Sequence, residues 1–236
     1  MKHLIQVSVS DFKLIFRDPS LRVFLFLPFL IYVVNNFGLP YLVSEFEAVN
    51  EFVPYVLILS TVQVTQMFGF IYSMVLIEEK ETEVSKVYGI TPVSKIWFTL
   101  FRMIIPFIIT ILFTWVILLI QPFYTLAAIP SLIFSILISL LLPVYVMGVV
   151  LSSKNKMEGM IWVKVFNIIV ILPALAFFIP PRFAPLFGIF PNHWIFQGLL
   201  DLILQQNILV PVMIAFVYLS ITLIWILNRF TKVHFT

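Results

Sequence analysis

Six long apolar runs, at about 21–43, 53–77, 98–120, 130–151, 161–180 and 208–228, decide what this chain can fold into. Each matches the roughly 20 residues that a helix needs to cross the hydrocarbon core of a bilayer. Each is also too long and too apolar for a soluble strand. Charged residues make up only 11% of the chain, against about 25% in soluble domains. The 236 residues hold six spans and short loops, with no room for a sizeable soluble domain. The expected fold is therefore an all-α polytopic membrane protein, one transmembrane domain over 1–236. There is no cysteine, which excludes disulfides and thiolate metal sites. The N-terminal residues lack the cleavage site and the uninterrupted apolar core of a secretory signal.

Charge placement predicts the orientation. Lys2, Lys13, Arg17 and Arg22 precede or open the first span, and Lys80, Lys86, Lys95 and Arg102 surround the second loop. Lys154, Lys156 and Lys164 surround the fourth loop, and Arg229 and Lys232 follow the last span. Of the 14 basic residues only Arg182 falls on the other side. This asymmetry predicts a multi-pass protein of the cell membrane with both termini in the cytoplasm. Arg102 and Lys164 sit about a turn inside their spans, where a long stem is expected to snorkel to the interface.

Ahead of the first span, Ile5, Val9, Phe12 and Phe16 recur at helical spacing, with Gln6, Ser10, Lys13 and Arg17 one position later. That pattern predicts an interfacial amphipathic helix over 1–19, broken at Asp18-Pro19. Prolines at 28, 106, 143 and 173 fall within spans, where neighbouring helices can satisfy the freed carbonyls. No sequence repeat relates the two three-span halves, which argues against an inverted-repeat secondary transporter.

Chemistry-bearing residues are few. The three histidines, His3, His193 and His234, are too scattered for a metal site. Glu78-Glu79 is similar to the paired glutamates of intramembrane CAAX-type proteases, but the arginine and histidines of that site are missing. No Gly-rich phosphate loop is present, so no resident ATP site and no cofactor of this chain are expected. The span interiors carry no carboxylate for a proton relay. Their polar groups are neutral: Asn35 and Asn36 in the first span, Thr61, Gln63, Thr65, Gln66 and Ser73 in the second, Asn167 in the fifth. Gln63, Gln66, Met67, Phe70 and Asn167 are candidates for a weakly polar pathway wall. The alternative for each is hydrogen bonding between helices.

Energy then has to enter from outside the spans. The loop 78–95, EEKETEVSKVYGITPVSK, holds four of the 11 acidic residues. The order of its residues predicts about three helical turns from Glu78 to Tyr88, acids leading and Lys86 trailing in the sense the helix dipole favours, with Gly89 as the stop.

This segment, with the two spans and the Arg-Asp-Pro of the amphipathic N-terminus before it, resembles the permease subunits of type-2 ATP-binding-cassette exporters. Glu79, Lys80 and Glu81 match the acidic opening of that family's coupling helix, and Thr91, Pro92 and Ser94 match its close. Glu83-Val84 and Tyr88-Gly89 depart from the family's usual residues. The resemblance implies six spans and docking of a separate ATPase, which binds the ATP and magnesium. It also implies a second permease subunit, identical or a sister chain, and short helices or a re-entrant turn in the outer segment 180–207. Glu78, Glu79, Glu81, Glu83, Lys86, Thr91 and Pro92 would then contact the ATPase. The implied function is export of an amphipathic or hydrophobic drug, peptide or lipid, with this chain as a transport subunit and not an enzyme. The competing reading is an ATP-independent channel, uniporter or membrane scaffold.

Overall fold

The computed structural model describes residues 2–89 and 94–235. Helix α1 (Lys2–Arg17) lies outside the spans. Asp18 ends it and caps the next helix: its carboxylate accepts from the Ser20 amide at 2.9 Å, and Pro19 occupies the first helical position. The first span, Pro19–Glu45, is broken into α2 (Pro19–Phe24), α3 (Leu27–Val33), a π-turn at Val34–Gly38 and α4 (Leu39–Glu45). The second is the continuous helix α5 (Val53–Glu81). After it come a short helix α6 (Val84–Gly89) and the third and fourth spans, α7 (Lys95–Leu119) and α8 (Ala128–Ser152). The fifth is α9 (Lys156–Ile171) extended by a 3-10 stretch Leu172–Phe177, and the sixth is α11 (Leu209–Val233). Between them lies α10 (Pro191–Ile203). All six expected spans are present.

The spans differ in how deeply they sit. In α8, 78% of the apolar stretch is buried within the chain, against 17% in the first and fifth spans and 22% in the sixth. Helix α8 is thus the hub, and the other three leave most of their apolar surface outside the chain's own core. Close helix contact is built on glycine. At Gly69 in α5 an added methyl would lie 2.5 Å from the Tyr145 ring of α8. Pro106 and Pro143 stay inside continuous helices. Between spans 5 and 6, α10 is embedded in the bundle: its Ile195, Phe196 and Leu199 pack with Ile58 of α5, Phe134 of α8 and Leu219 of α11.

Three expectations need correction. The segment 78–89 is not one three-turn helix. Span 2 continues to Glu81, and Glu83 takes a left-handed φ of 61° that separates α5 from α6. The physical reason is that the apolar register of α5 runs unbroken into Glu79, which is buried and held, so the helix has no cause to stop earlier. Helix α1 also docks on a different face from its apolar stripe. Ser8, Asp11 and Ile15 are buried against the bundle, whereas Val9 and Phe16 stay exposed, about a quarter turn away. The face of Ser8, Asp11 and Ile15 turns inward because a cation waits there for Asp11, while Ser10, Lys13 and Arg17 stay exposed. That cation is Arg102, which does not snorkel; it is 2% exposed. Lys164 is exposed, as expected. Thr91 and Pro92 lie outside the described residues.

Candidate functional site: a buried ion cluster behind an acidic surface

Arg102 sits two turns into α7 and meets two carboxylates from different elements. Its Nη1 and Nη2 donate to the two oxygens of Glu79, both at 2.6 Å, and its Nε donates to Asp11 Oδ2 at 2.6 Å. The fork onto Glu79 is the bidentate geometry that suits a guanidinium and that lysine cannot reproduce. The Phe98 and Tyr88 rings lie 5.5 and 5.8 Å from the guanidinium carbon, and Ser8 Oγ donates to the Arg102 carbonyl at 3.2 Å. One side chain therefore joins α1, the end of α5, the start of α7 and the short helix α6. The chain's last turn completes the enclosure. His234 stacks on Phe230 at 4.5 Å, and Phe235 packs against Phe98 and against the backbone of Gly89, which has no room there for a Cβ.

Burial raises the Asp11 carboxyl to about 6, against the downward pull of Arg102 and with a smaller upward push from Glu79. The unfolded chain holds this proton only near 3.8. The folded protein binds it more tightly, so the Asp11 contribution to stability rises as pH falls from about 6 towards 4. His234 works in the opposite direction. Burial first, then Arg102 and Lys80, hold it down at about 3, so the folded state binds fewer protons as pH falls below 6.5. A comparison of the wild type with Asp11→Asn cancels the histidine contribution. The stability difference, read by denaturant titration in detergent, should move by about 2–3 kcal/mol in favour of the wild type between about pH 7 and pH 4. A difference that does not change with pH would show that Asp11 stays ionised.

The other acids of the segment, Glu78, Glu81 and Glu83, are exposed. Glu78 pairs with Lys156 at 3.0 Å, Glu81 accepts from the Lys156 amide at 3.2 Å, and Glu83 pairs with Lys86 at 2.7 Å. The Lys86 ammonium holds the Glu83 carboxyl below its ordinary range. Lys80 donates to the carbonyls of Val150 and Ser153 at 3.0 and 2.5 Å, closing the C-terminal end of α8. The loop after α8 and the end of α5 are thus stitched together. Of the residues predicted for ATPase contact, Glu78, Glu81, Glu83 and Lys86 are exposed on one surface, while Glu79 is buried behind it.

The predicted pathway residues divide in two. Gln66 is 3% exposed; its Nε2 donates to the Asn167 carbonyl at 3.0 Å, and Tyr145 donates to Asn167 Oδ1 at 2.7 Å. This pair ties spans 2, 4 and 5 by hydrogen bonds. Gln63, Met67 and Phe70, by contrast, are half-buried along one face of α5. Gln63 lines a cavity of about 290 Å³ between spans 1 and 2, with Asn35, Ser60 and Leu30, and the Phe70 ring meets Phe24 of the first span at 4.5 Å, tilted by 47°.

Sequence reasoning missed Asp11, Arg102, Tyr88 and the C-terminal His234-Phe235. A signal for the first two was present. A carboxylate and an arginine, each placed where water is scarce, require partners. Nothing in local sequence pointed to Phe235.

The family model described as "Fluoroquinolones export permease protein Rv2686c-like" matches residues 11–228. No curated protein and no solved structure matches the chain. The matched stretch contains Asp11, Glu79 and Arg102, the whole acidic segment and all but the last turn of the sixth span. The resemblance to type-2 ATP-binding-cassette exporters, read from the loop, is thereby borne out at the level of family. The chain belongs to the Rv2686c-like fluoroquinolones export permeases, a family of multi-pass transport proteins.

Proposed function

We propose that this chain is the membrane-spanning subunit of an ATP-driven drug exporter, with ATP bound and hydrolysed by a separate subunit. The basic end of the bundle, termini included, lies in the cytoplasm. The observation that carries the reading is the position of Arg102. It links α1, span 2 and span 3 directly behind the exposed Glu78, Glu81, Glu83 and Lys86. A partner that pushes on this acidic surface moves three membrane elements at once, because none can shift without the buried ion cluster. Thr91 and Pro92 belong to the same docking segment. Two permease subunits form the complex, and the weakly buried first and fifth spans are the surfaces that support pairing.

The cargo we propose is a flat, amphipathic aromatic drug of the fluoroquinolone kind named in the family's description. The neutral, half-buried face of Gln63, Met67 and Phe70 next to the first span supports this: it offers aromatic stacking, a polarisable thioether and one amide, and no charge to trap a cation or anion.

Charge reversal at Glu81 and Glu83 tests the docking without touching the buried cluster. The doubly reversed permease should assemble with an unchanged melting temperature, yet bind its ATPase about tenfold more weakly and lose most drug-stimulated ATP hydrolysis. Normal turnover in that variant would reduce the segment to a connector between spans.

A further inference from the structure

At the basic end of the bundle, α8, α9 and α11 leave a cleft of about 430 Å³. It is lined by Leu151, Phe166 and Ile226, by the half-buried Ser152, and by the exposed Trp225 and Arg229. Further along α11, Val217, Ile221 and Ile224 are exposed as well. In a helix that crosses the membrane, such a face meets acyl chains. Arg229 lies one turn beyond Trp225, about 6 Å further along the axis, at the depth where headgroups begin. It makes no ion pair or hydrogen bond among the described residues. Among the described residues no carboxylate lines the cleft.

We infer that this cleft binds one anionic glycerophospholipid, the phosphate on Arg229 and an acyl chain along Trp225, Phe166 and Ile226. The preference for an anionic lipid follows from the lining. A choline or ethanolamine headgroup brings its own cation beside Arg229, and the cleft has no acid to receive it. A phosphatidylglycerol headgroup leaves the phosphate charge for the guanidinium alone. The apolar walls favour a lipid over a free phosphate ion.

Trp225 provides the readout. Wild type and Trp225→Phe are reconstituted into phosphatidylcholine bilayers, and the difference between their fluorescence isolates Trp225. Quenching by phosphatidylglycerol with brominated chains is compared with quenching by brominated phosphatidylcholine. The expected result is about fivefold tighter association of the anionic lipid at Trp225, lost in Arg229→Gln and retained in Arg229→Lys. Excess inorganic phosphate, against chloride at the same ionic strength, should not relieve the quenching. Equal quenching by the two lipids overturns the inference, as does a preference that survives Arg229→Gln. Relief by phosphate overturns it in favour of a free-anion site. The wild-type lipid comparison stands alone if Arg229→Gln fails to fold.

Discussion

Arg102→Met should cost about 3–5 kcal/mol of stability. Methionine keeps most of the arginine stem but leaves Asp11 and Glu79, 3% and 8% exposed, facing one another without a cation. Their mutual repulsion in a dry site is relieved only by taking up protons or by releasing α1 from the bundle. Arg102→Lys should fall between, because an ammonium cannot hold both oxygens of Glu79 and also Asp11 Oδ2 in the arrangement seen. The decisive control is the triple variant Asp11→Asn, Glu79→Gln, Arg102→Met. It removes all three charges together and should recover most of the loss, since a buried ion cluster stabilises far less than breaking it destabilises. Unfolding in mixed micelles of denaturing and mild detergent reads all three. A single Arg102→Met that unfolds at the wild-type detergent fraction would mean the cluster is open to water.

The second large effect is expected at Gly69. A methyl placed there lies 2.5, 3.0 and 3.2 Å from three atoms of the Tyr145 ring. The ring cannot easily yield, because its hydroxyl donates to Asn167 at 2.7 Å and its edge meets Phe166 at 5.9 Å. Overpacking of this kind costs about 1–3 kcal/mol, offset in part by the better helix propensity of alanine, up to about 1 kcal/mol. A net loss of about 1–2 kcal/mol is the expected outcome for Gly69→Ala. Tyr145→Ala in the same background should remove the clash, so the two changes together should cost clearly less than their sum. Strict additivity in that cycle would show that the helices part at Gly69 without strain.

The spans were legible because length and apolarity are local properties. The six runs coincide with six helices, and Asp18-Pro19 marks the end of α1 and the start of the first span. The resemblance carried by the acidic loop led to the right family. The site was legible only at its surface. Glu78, Glu81, Glu83 and Lys86 are exposed as their loop position implied, but Glu79 differs from its neighbours solely through Arg102, 23 residues away, and Asp11, 91 residues from that arginine. Helical periodicity ranked the faces of α1 by apolarity, whereas the fold chose the face with a carboxylate that could reach a buried cation. Gln63 and Gln66 are three residues apart and look equivalent in sequence. One lines a cavity and the other binds the backbone of span 5, a distinction that packing alone makes.

The π-turn at Val34–Gly38 divides the first span unevenly in kind as well as in length. Below it, α2 is anchored by the Asp18 cap and by Leu21 in the main core; above it, α4 packs only on a small cluster around Val53 and Leu57. At the join, Asn35 gives its oxygen to Ser60 at 3.0 Å and leaves its amide nitrogen unpaired. Mechanically this span is a jointed rod, broken at Leu25-Phe26 and again at the π-turn, and its two ends are held by different parts of the bundle. Under the proposed function, a push that arrives from the ion cluster through α1 is expected to move the segments before the π-turn and to be absorbed at Asn35, while α4 keeps its place.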